Sequence, residues 1–192
     1  MSEAILRKLI KETLSSKRKL YVLVGPPGVG KSWWVKNNVV DPYVISRDNI
    51  VDDTRMQLGL KYDDMFADNM KDVNKEINKK LGDRAAAAAE SGQDIVVDMT
   101  NTSPGARKGA LSAVKGVEDQ FEKIAVVFDV RGKEDLVHRS IEMRSNQLKD
   151  KHIPKNVVNS MLKSFSENIP TEQEGFDKVI FVDTTAALSR KQ

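Results

Sequence analysis

Gly25-Pro26-Pro27-Gly28-Val29-Gly30-Lys31-Ser32, preceded by Tyr21-Val22-Leu23-Val24, is the stretch whose reading decides the fold. It meets every fixed position of G-x-x-x-x-G-K-[ST], with an apolar strand before it and a helical pattern after it. The residue types reflect the chemistry of anion binding. Glycines let backbone N–H groups converge on phosphate oxygens, and the next helix points its positive dipole end at the same place. Lys31 would neutralise β- and γ-phosphates, and Ser32 would offer one hydroxyl to Mg²⁺. The plain alternative is a glycine-rich strand-to-helix turn, which a full match to the eight-residue motif in the right context disfavours. Gly25, Pro27, Gly28, Val29, Gly30, Lys31 and Ser32 are therefore the expected nucleotide-binding residues.

Outward from this loop, short β-branched runs alternate with helical stretches. Strands are expected at 20–24, 43–46, 95–98, 124–129 and 179–183. Helices are expected near 3–16, 31–39, 49–58, 64–91, 105–115, 133–149 and 155–167. The run Ala85 to Ala89 reads as helix, since alanine has the highest propensity. Nearly continuous apolar strands alternating with helices imply a parallel sheet covered on both faces. The fold class is α/β: a five-stranded parallel sheet, a phosphate loop and a helical lid at about 133–167, in one domain spanning 1–192. Ligands of such sheets bind beyond the C-terminal strand ends, so the polar residues there are the candidates.

Composition sets outer bounds. The 192 residues are 40% hydrophobic and 31% charged, ordinary values for a globular chain. Cysteine is absent, which excludes disulfides, thiolate catalysis and cysteine metal sites. No apolar run approaches a membrane span and no signal-peptide core opens the chain, so a cytoplasmic protein without membrane association is expected. The net charge of +3 conceals two basic segments, 1–19 and 131–163, on a mildly acidic remainder. Such segments could meet phosphates, although solvated helix faces explain them equally simply. The N-K-x-D motif of a regulatory GTPase is missing, since Asn74-Lys75 and Asn78-Lys79 lack the aspartate.

Two carboxylates stand at strand ends. Tyr43-Val44-Ile45-Ser46-Arg47-Asp48 places a cation and a carboxylate after the second strand. Asp48 could accept the proton of an attacking hydroxyl, or it could be the N-cap of the next helix. Asp94-Ile95-Val96-Val97-Asp98 has the form of a Walker B segment, so Asp98 could orient Mg²⁺. Thr100 and Asn101 could fix the Asp48 side chain or a substrate oxygen; alternatively, Asp98 and Asn101 simply satisfy a polar strand-to-helix loop closed by Pro104-Gly105.

Gly-x-Pro-Gly-x-Gly-Lys-Ser, Ser-Arg-Asp-Asn and Val-Asp-Met-Thr-Asn-Thr together resemble the polynucleotide kinase family, from about Lys19 to Met161. That family includes phage 5′-hydroxyl kinases and the kinase half of eukaryotic DNA-end-healing enzymes. The resemblance implies that Asp48 is the general base and that Asp98, Thr100 and Asn101 line the active site. Leu136 to Arg144, with a basic stretch and a second helix from Lys155 after it, resembles the family lid. An arginine of that lid reaches the ATP phosphates; Arg139 fits best and Arg144 is second. His138 and His152 are read as lid-surface residues rather than a metal site.

The sequence also departs from the family. Trp33 stands where the family commonly has Thr, and Trp33 and Trp34 are read as packing residues. Phage members grip a 3′-phosphate with an arginine three residues beyond the base; here that residue is Val51, leaving Arg47 or Arg55 as substitutes. Val179 to Thr185 is similar to the start of a phosphatase half but lacks Asp-x-Asp-Gly-Thr, so no phosphatase activity is expected.

The expectation is an ATP- and Mg²⁺-dependent kinase acting on a polynucleotide hydroxyl, foremost the 5′-OH end of DNA or RNA. A kinase of 5-hydroxymethyluracil within DNA, a small-molecule kinase and a non-catalytic ATP-binding module or ATPase are the rivals. Nucleic acid is the expected partner, no obligate protein partner is evident, and host cytoplasm is the setting if the chain is phage-encoded.

Overall fold

The computed structural model describes residues 17–66, 70–148 and 153–189. The expected helix at 3–16 and His152 lie outside them. Five strands form one sheet: β1 (Arg18–Val24), β2 (Tyr43–Ile45), β3 (Ile95–Val97), β4 (Phe121–Asp129) and β5 (Lys178–Asp183). Their order is β2-β3-β1-β4-β5 and every neighbouring pair is parallel. Seven α-helices are described: α1 (Lys31–Asn38), α2 (Arg47–Leu58), α3 (Lys71–Glu90), α4 (Pro104–Leu111), α5 (Glu134–Leu148), α6 (Lys155–Glu167) and α7 (Thr185–Ser189).

Strand periodicity decides which helix covers which face. Tyr21 is in register with Ile124, so Tyr21, Leu23, Ile124, Val126 and Phe128 share one face. Trp34 of α1 meets that face edge-on, 5.8 Å from Tyr21 and 6.3 Å from Phe128 between ring centroids. Arg18 and Phe121 belong to the other face, where the Arg18 guanidinium lies 4.2 Å from the Phe121 ring centre. The same guanidinium donates to Ala89 O at 2.9 Å, fixing the end of α3 to that side. Helices thus cover both faces, and β1 runs between them buried from Leu20 to Val24.

Several boundaries differ from expectation for local reasons. Helix α2 begins at Arg47 because the Ser46 hydroxyl accepts from Asn49 N–H; Ser46 is the N-cap, and Asp48 lies inside the first turn. The N-cap alternative for Asp48 is thereby corrected. The same helix stops at Gly59, whose φ of +67° lets the chain reverse while Leu60 N–H caps Arg55 O. The stretch 64–91 is not one helix: a 3-10 turn at Asp63–Phe66 precedes α3. Its Met65 joins Ile50, Val51 and Ile77 in a small second core. Of the two tryptophans read as packing residues, Trp34 packs; Trp33, rotated about 100° along the helix, is 56% exposed.

The two expected lid helices form, as α5 and α6. On α5, Val137, Ser140 and Ile141 are buried and Arg144 is half-buried, which is the i, i+3, i+4, i+7 stripe of an amphipathic helix. On α6, Val158, Leu162 and Phe165 are buried in the same core as the sheet. The inner faces of the hairpin are therefore docked. Among the described residues, no helix is long and apolar enough to cross a membrane.

Candidate functional site

The loop between β1 and α1 is held from several sides. Gly25 N–H donates to Thr100 O at 2.9 Å, tying the loop's start to the segment after β3. Gly30, with φ +95°, is the N-cap of α1, and a Cβ there would come within 3.0 Å of Ala187 Cβ on α7. Only glycine satisfies both the left-handed backbone and that close approach. Lys31 Nζ donates to Gly25 O at 3.0 Å and Pro26 O at 2.9 Å, so its ammonium lies across the loop's mouth. Burial pushes its pKa down to about 8, against the pull of Asp98 and Asp48.

Ser32 Oγ donates to Asp98 Oδ2 at 3.3 Å. Asp98 N–H in turn donates to Ile45 O, which places the ends of β2 and β3 level with the phosphate loop. Burial raises the Asp98 pKa, and Lys31 and the Ser32 hydroxyl oppose that rise. Asp48 is exposed on the first turn of α2, and its charge is felt at Lys31, Asp98 and Tyr62. The carboxylate after β2 is thus near enough to the loop lysine and to Asp98 for its charge to act on both.

Sequence reasoning missed Tyr62, which packs against the second core near Asp48. Its phenol is pushed up to about 12, first by burial and then by Asp48 and Asp52. It therefore remains a neutral hydroxyl at physiological pH. A single tyrosine in a polar connection gives no signal of this in the sequence.

The two lid arginines separate clearly. Five residues apart, they project about 140° apart around the helix. Arg144 is half-buried, and its charge reaches Lys31, Asp98 and Tyr62; Arg139 is exposed on the outer side of α5. Of the two, Arg144 is the one placed near Lys31 and Asp98.

The remaining candidates have local partners. Arg47 donates to Asn74 Oδ1 at 3.1 Å, and Arg55 is paired with Asp52 at 2.8 Å on the same helix. Val51 is 1% exposed in the second core, so that position presents no group to solvent. Asn101 is 2% exposed with φ +46°, and its amide donates to Leu23 O at 2.8 Å. Its side chain therefore anchors β1 just ahead of the loop rather than facing Asp48. Thr100 serves the loop through its carbonyl, the acceptor for Gly25 N–H.

Asn101 is itself held by Arg107, a fully buried residue that no motif in the sequence marks. Arg107 Nη1 donates to Asn101 O at 3.2 Å, and Nε and Nη2 form a fork to Glu174 at 2.7 and 2.8 Å. Glu174 also closes a capping box with Thr171, so its carboxylate position is fixed from both sides.

The donor set fits a phosphate chain. A half-buried lysine, a helix N-terminus and glycines at which a Cβ would crowd its neighbours lie together on one loop. The Ser32–Asp98 pair, a hydroxyl beside a carboxylate, fits a hydrated divalent cation shared with those phosphates. An apolar cavity of about 240 Å³, floored by Ile45, Val97 and Met99, opens on the α3 side of the sheet and contains none of these groups.

Residues 20–168 match AAA_33, an AAA domain family of P-loop NTPases and kinases. The chain belongs to that family. Among solved structures, this AAA_33 chain is similar to a candidate kinase from Chloroflexus aurantiacus J-10-fl, with a TM-score of 0.58 at 17% identity. That match covers 89% of this chain and 87% of the other. It is also similar to a structure from the PezAT chromosomal toxin–antitoxin system of Streptococcus pneumoniae, with a TM-score of 0.56 at 13% identity. There the coverage is 95% of this chain and 78% of the other. No curated protein matches in sequence. At these identities the structural likenesses establish the fold, a P-loop kinase-like α/β sheet, and the family match points to nucleotide-dependent phosphotransfer.

Proposed function

We propose that this AAA_33 domain is an ATP-dependent kinase that transfers the γ-phosphate to a hydroxyl of a polynucleotide, foremost a 5′-hydroxyl end. The observation that supports transfer over simple nucleotide binding is Asp48. An exposed carboxylate near the loop lysine, on the first turn of α2, suits a group that takes a proton from an attacking hydroxyl. Lys31 and Arg144 would supply positive charge to the transferring group, and Tyr62 would add a neutral hydroxyl near Asp48. Mg²⁺, held by Ser32 and, through water, by Asp98, would neutralise charge on the β- and γ-oxygens. Alignment of hydroxyl, phosphorus and leaving oxygen is the protein's main contribution to such a reaction.

The second reading places the acceptor hydroxyl on a modified base within DNA, such as 5-hydroxymethyluracil. Val51 favours it, because a buried valine stands where an end-specific enzyme of the resembled family presents its 3′-phosphate arginine. Transfer of labelled γ-phosphate to three acceptors in parallel separates the readings: 5′-hydroxyl DNA and RNA oligonucleotides, duplex DNA containing 5-hydroxymethyluracil, and a nucleoside mixture. Label on 5′ ends, reduced about 10²- to 10⁴-fold by Asp48→Ala with ATP affinity kept, supports the first reading. Label on internal bases moves the acceptor and keeps the mechanism. Label on nucleosides alone makes it a small-molecule kinase, and wild-type turnover in Asp48→Ala removes the base assignment.

A further inference from the structure

Ser140 lies one helical turn before Arg144 on α5 and is 2% exposed. Its hydroxyl donates to Gly28 O at 2.9 Å, a direct bond from the lid helix to the phosphate loop. Position 28 is one that G-x-x-x-x-G-K-[ST] leaves open. The structure supplies the reason for glycine there: φ is +79°, and a Cβ would come within 3.0 Å of Ser140 Oγ. The contact therefore depends on both residues.

The contact constrains both the loop and the lid. No described peptide bond is cis, so the Gly28 carbonyl and the Val29 N–H point in opposite directions across one planar unit. Holding the carbonyl toward α5 turns that N–H away from α5, and a cradle of backbone N–H groups needs each peptide turned the right way. Ser140 and Arg144 also share a face of α5 at i, i+4 spacing. Pinning Ser140 to the loop thus sets how far along and around its axis the helix sits where Arg144 leaves it. Ile141, next to the contact, would lie 3.5 Å from a Cβ at Gly28, so apolar packing backs the hydrogen bond.

We propose that Ser140 is a positioning residue: its bond to Gly28 orients the Gly28–Val29 peptide for phosphate binding and registers Arg144 over the loop. The inference rests on the reading of the loop and Arg144 as the ATP phosphate site. It makes the lid arginine and the cradle one coupled unit, so that displacing α5 releases both together.

The test is a double-mutant cycle in the full chain with Ser140→Ala, Arg144→Ala and the double variant, with Ser140→Thr and Ser140→Cys as companions. Equilibrium affinity for Mg²⁺–ATP is measured by calorimetry, and the KM for ATP and kcat by labelled transfer to whichever acceptor is accepted. Ser140→Ala should weaken ATP binding about tenfold, the scale of one well-placed hydrogen bond. In the Arg144→Ala background the same change should cost only about two- to threefold, because part of its effect runs through Arg144. Ser140→Thr, which keeps the hydroxyl, should recover most of the affinity. Ser140→Cys keeps the volume with a weak donor and should fall between. If Ser140→Ala does not fold, the Thr and Cys variants carry the comparison. Equal losses in both backgrounds, or unchanged affinity in Ser140→Ala or Ser140→Cys, would reduce Ser140 to a packing residue. Wild-type chain that binds ATP but labels no acceptor sinks the kinase reading alone, and the affinity cycle still decides on Ser140. Wild-type chain that binds no ATP overturns both.

Discussion

Ser32 Oγ on the first turn of α1 stands 3.3 Å from Asp98 Oδ2 at the end of β3. The pairing of β1 with β3 produces this closeness. Val22 is in register with Val97, so the phosphate loop after β1 and the Asp98 segment after β3 emerge side by side. A hydroxyl and a carboxylate brought together at a helix N-terminus form a ligand pair for a hard cation. Asp98→Asn should therefore raise the Mg²⁺ concentration required for half-maximal turnover about tenfold or more. Chelation should abolish transfer in the wild type. A magnesium titration measures both, and superimposable curves for wild type and Asp98→Asn would remove Asp98 from the metal's surroundings.

Arg144 and Arg139 offer a controlled comparison on one helix. Arg144 lies on the buried stripe of α5 and its charge reaches Lys31 and Asp98; Arg139 is exposed. Arg144→Ala should lower kcat about 10²-fold, the scale of one lost electrostatic stabiliser of the transferring group. Arg139→Ala should remain within about twofold of wild type, as surface substitutions generally do. Steady-state kinetics on the two variants decides it, and the reverse order would return the role to Arg139.

That contrast shows where the sequence stops being legible. The strands, the loop and the strand-end carboxylates are written in local patterns: apolar runs, glycine spacing, and an aspartate where a run ends. Which lid arginine faces inward depends on the phase of α5, and that phase is set by the burial of Val137 and Ile141 against a core built from distant strands. Asn101 was legible as a polar loop residue, but its bond to Leu23 O needs β1 and β3 to be neighbours. Tyr62 and Ser140 carry no motif; each matters through a partner that only the fold brings close. Asp48 was legible as a strand-end carboxylate, yet the capping residue proved to be Ser46, two positions earlier.

Arg107 should be a costly charge to remove. It is fully buried, and its fork to Glu174 and bond to Asn101 O tie α4, the turn before β5 and the segment behind the phosphate loop. Arg107→Ala leaves Glu174 and the Asn101 carbonyl without these donors and should destabilise the fold by about 3 kcal/mol. Arg107→Lys should recover little, because a single ammonium cannot reproduce the fork. Urea unfolding of the variants gives the values. A loss under about 1 kcal/mol for the alanine variant would show that the pair contributes no more than a surface salt bridge.

Lys133 sets a pH dependence at the root of α5. Its ammonium donates to Asp183 Oδ1 at 2.8 Å and, more weakly, to Asp129 O, linking the ends of β4 and β5 just before α5. The Lys133 bond, and after it those from Thr185, hold the Asp183 carboxyl well below the usual carboxylate range. A depressed folded-state pKa contributes stability above the unfolded value, about 3.9 for aspartate. That contribution is lost as pH falls through the folded-state pKa. The pair is largely exposed at Asp183, so its effect is small at neutral pH and sensitive to salt. Lys133→Met should move the Asp183 titration upward, toward but not fully to the ordinary value, because the Thr185 bonds remain. NMR titration of the Asp183 carboxyl carbon reads this directly. The difference in melting temperature between wild type and Lys133→Met should be greatest above about pH 5 and close on acidification below the unfolded pKa. An Asp183 titration unmoved by Lys133→Met would assign the depression to Thr185 and the turn alone.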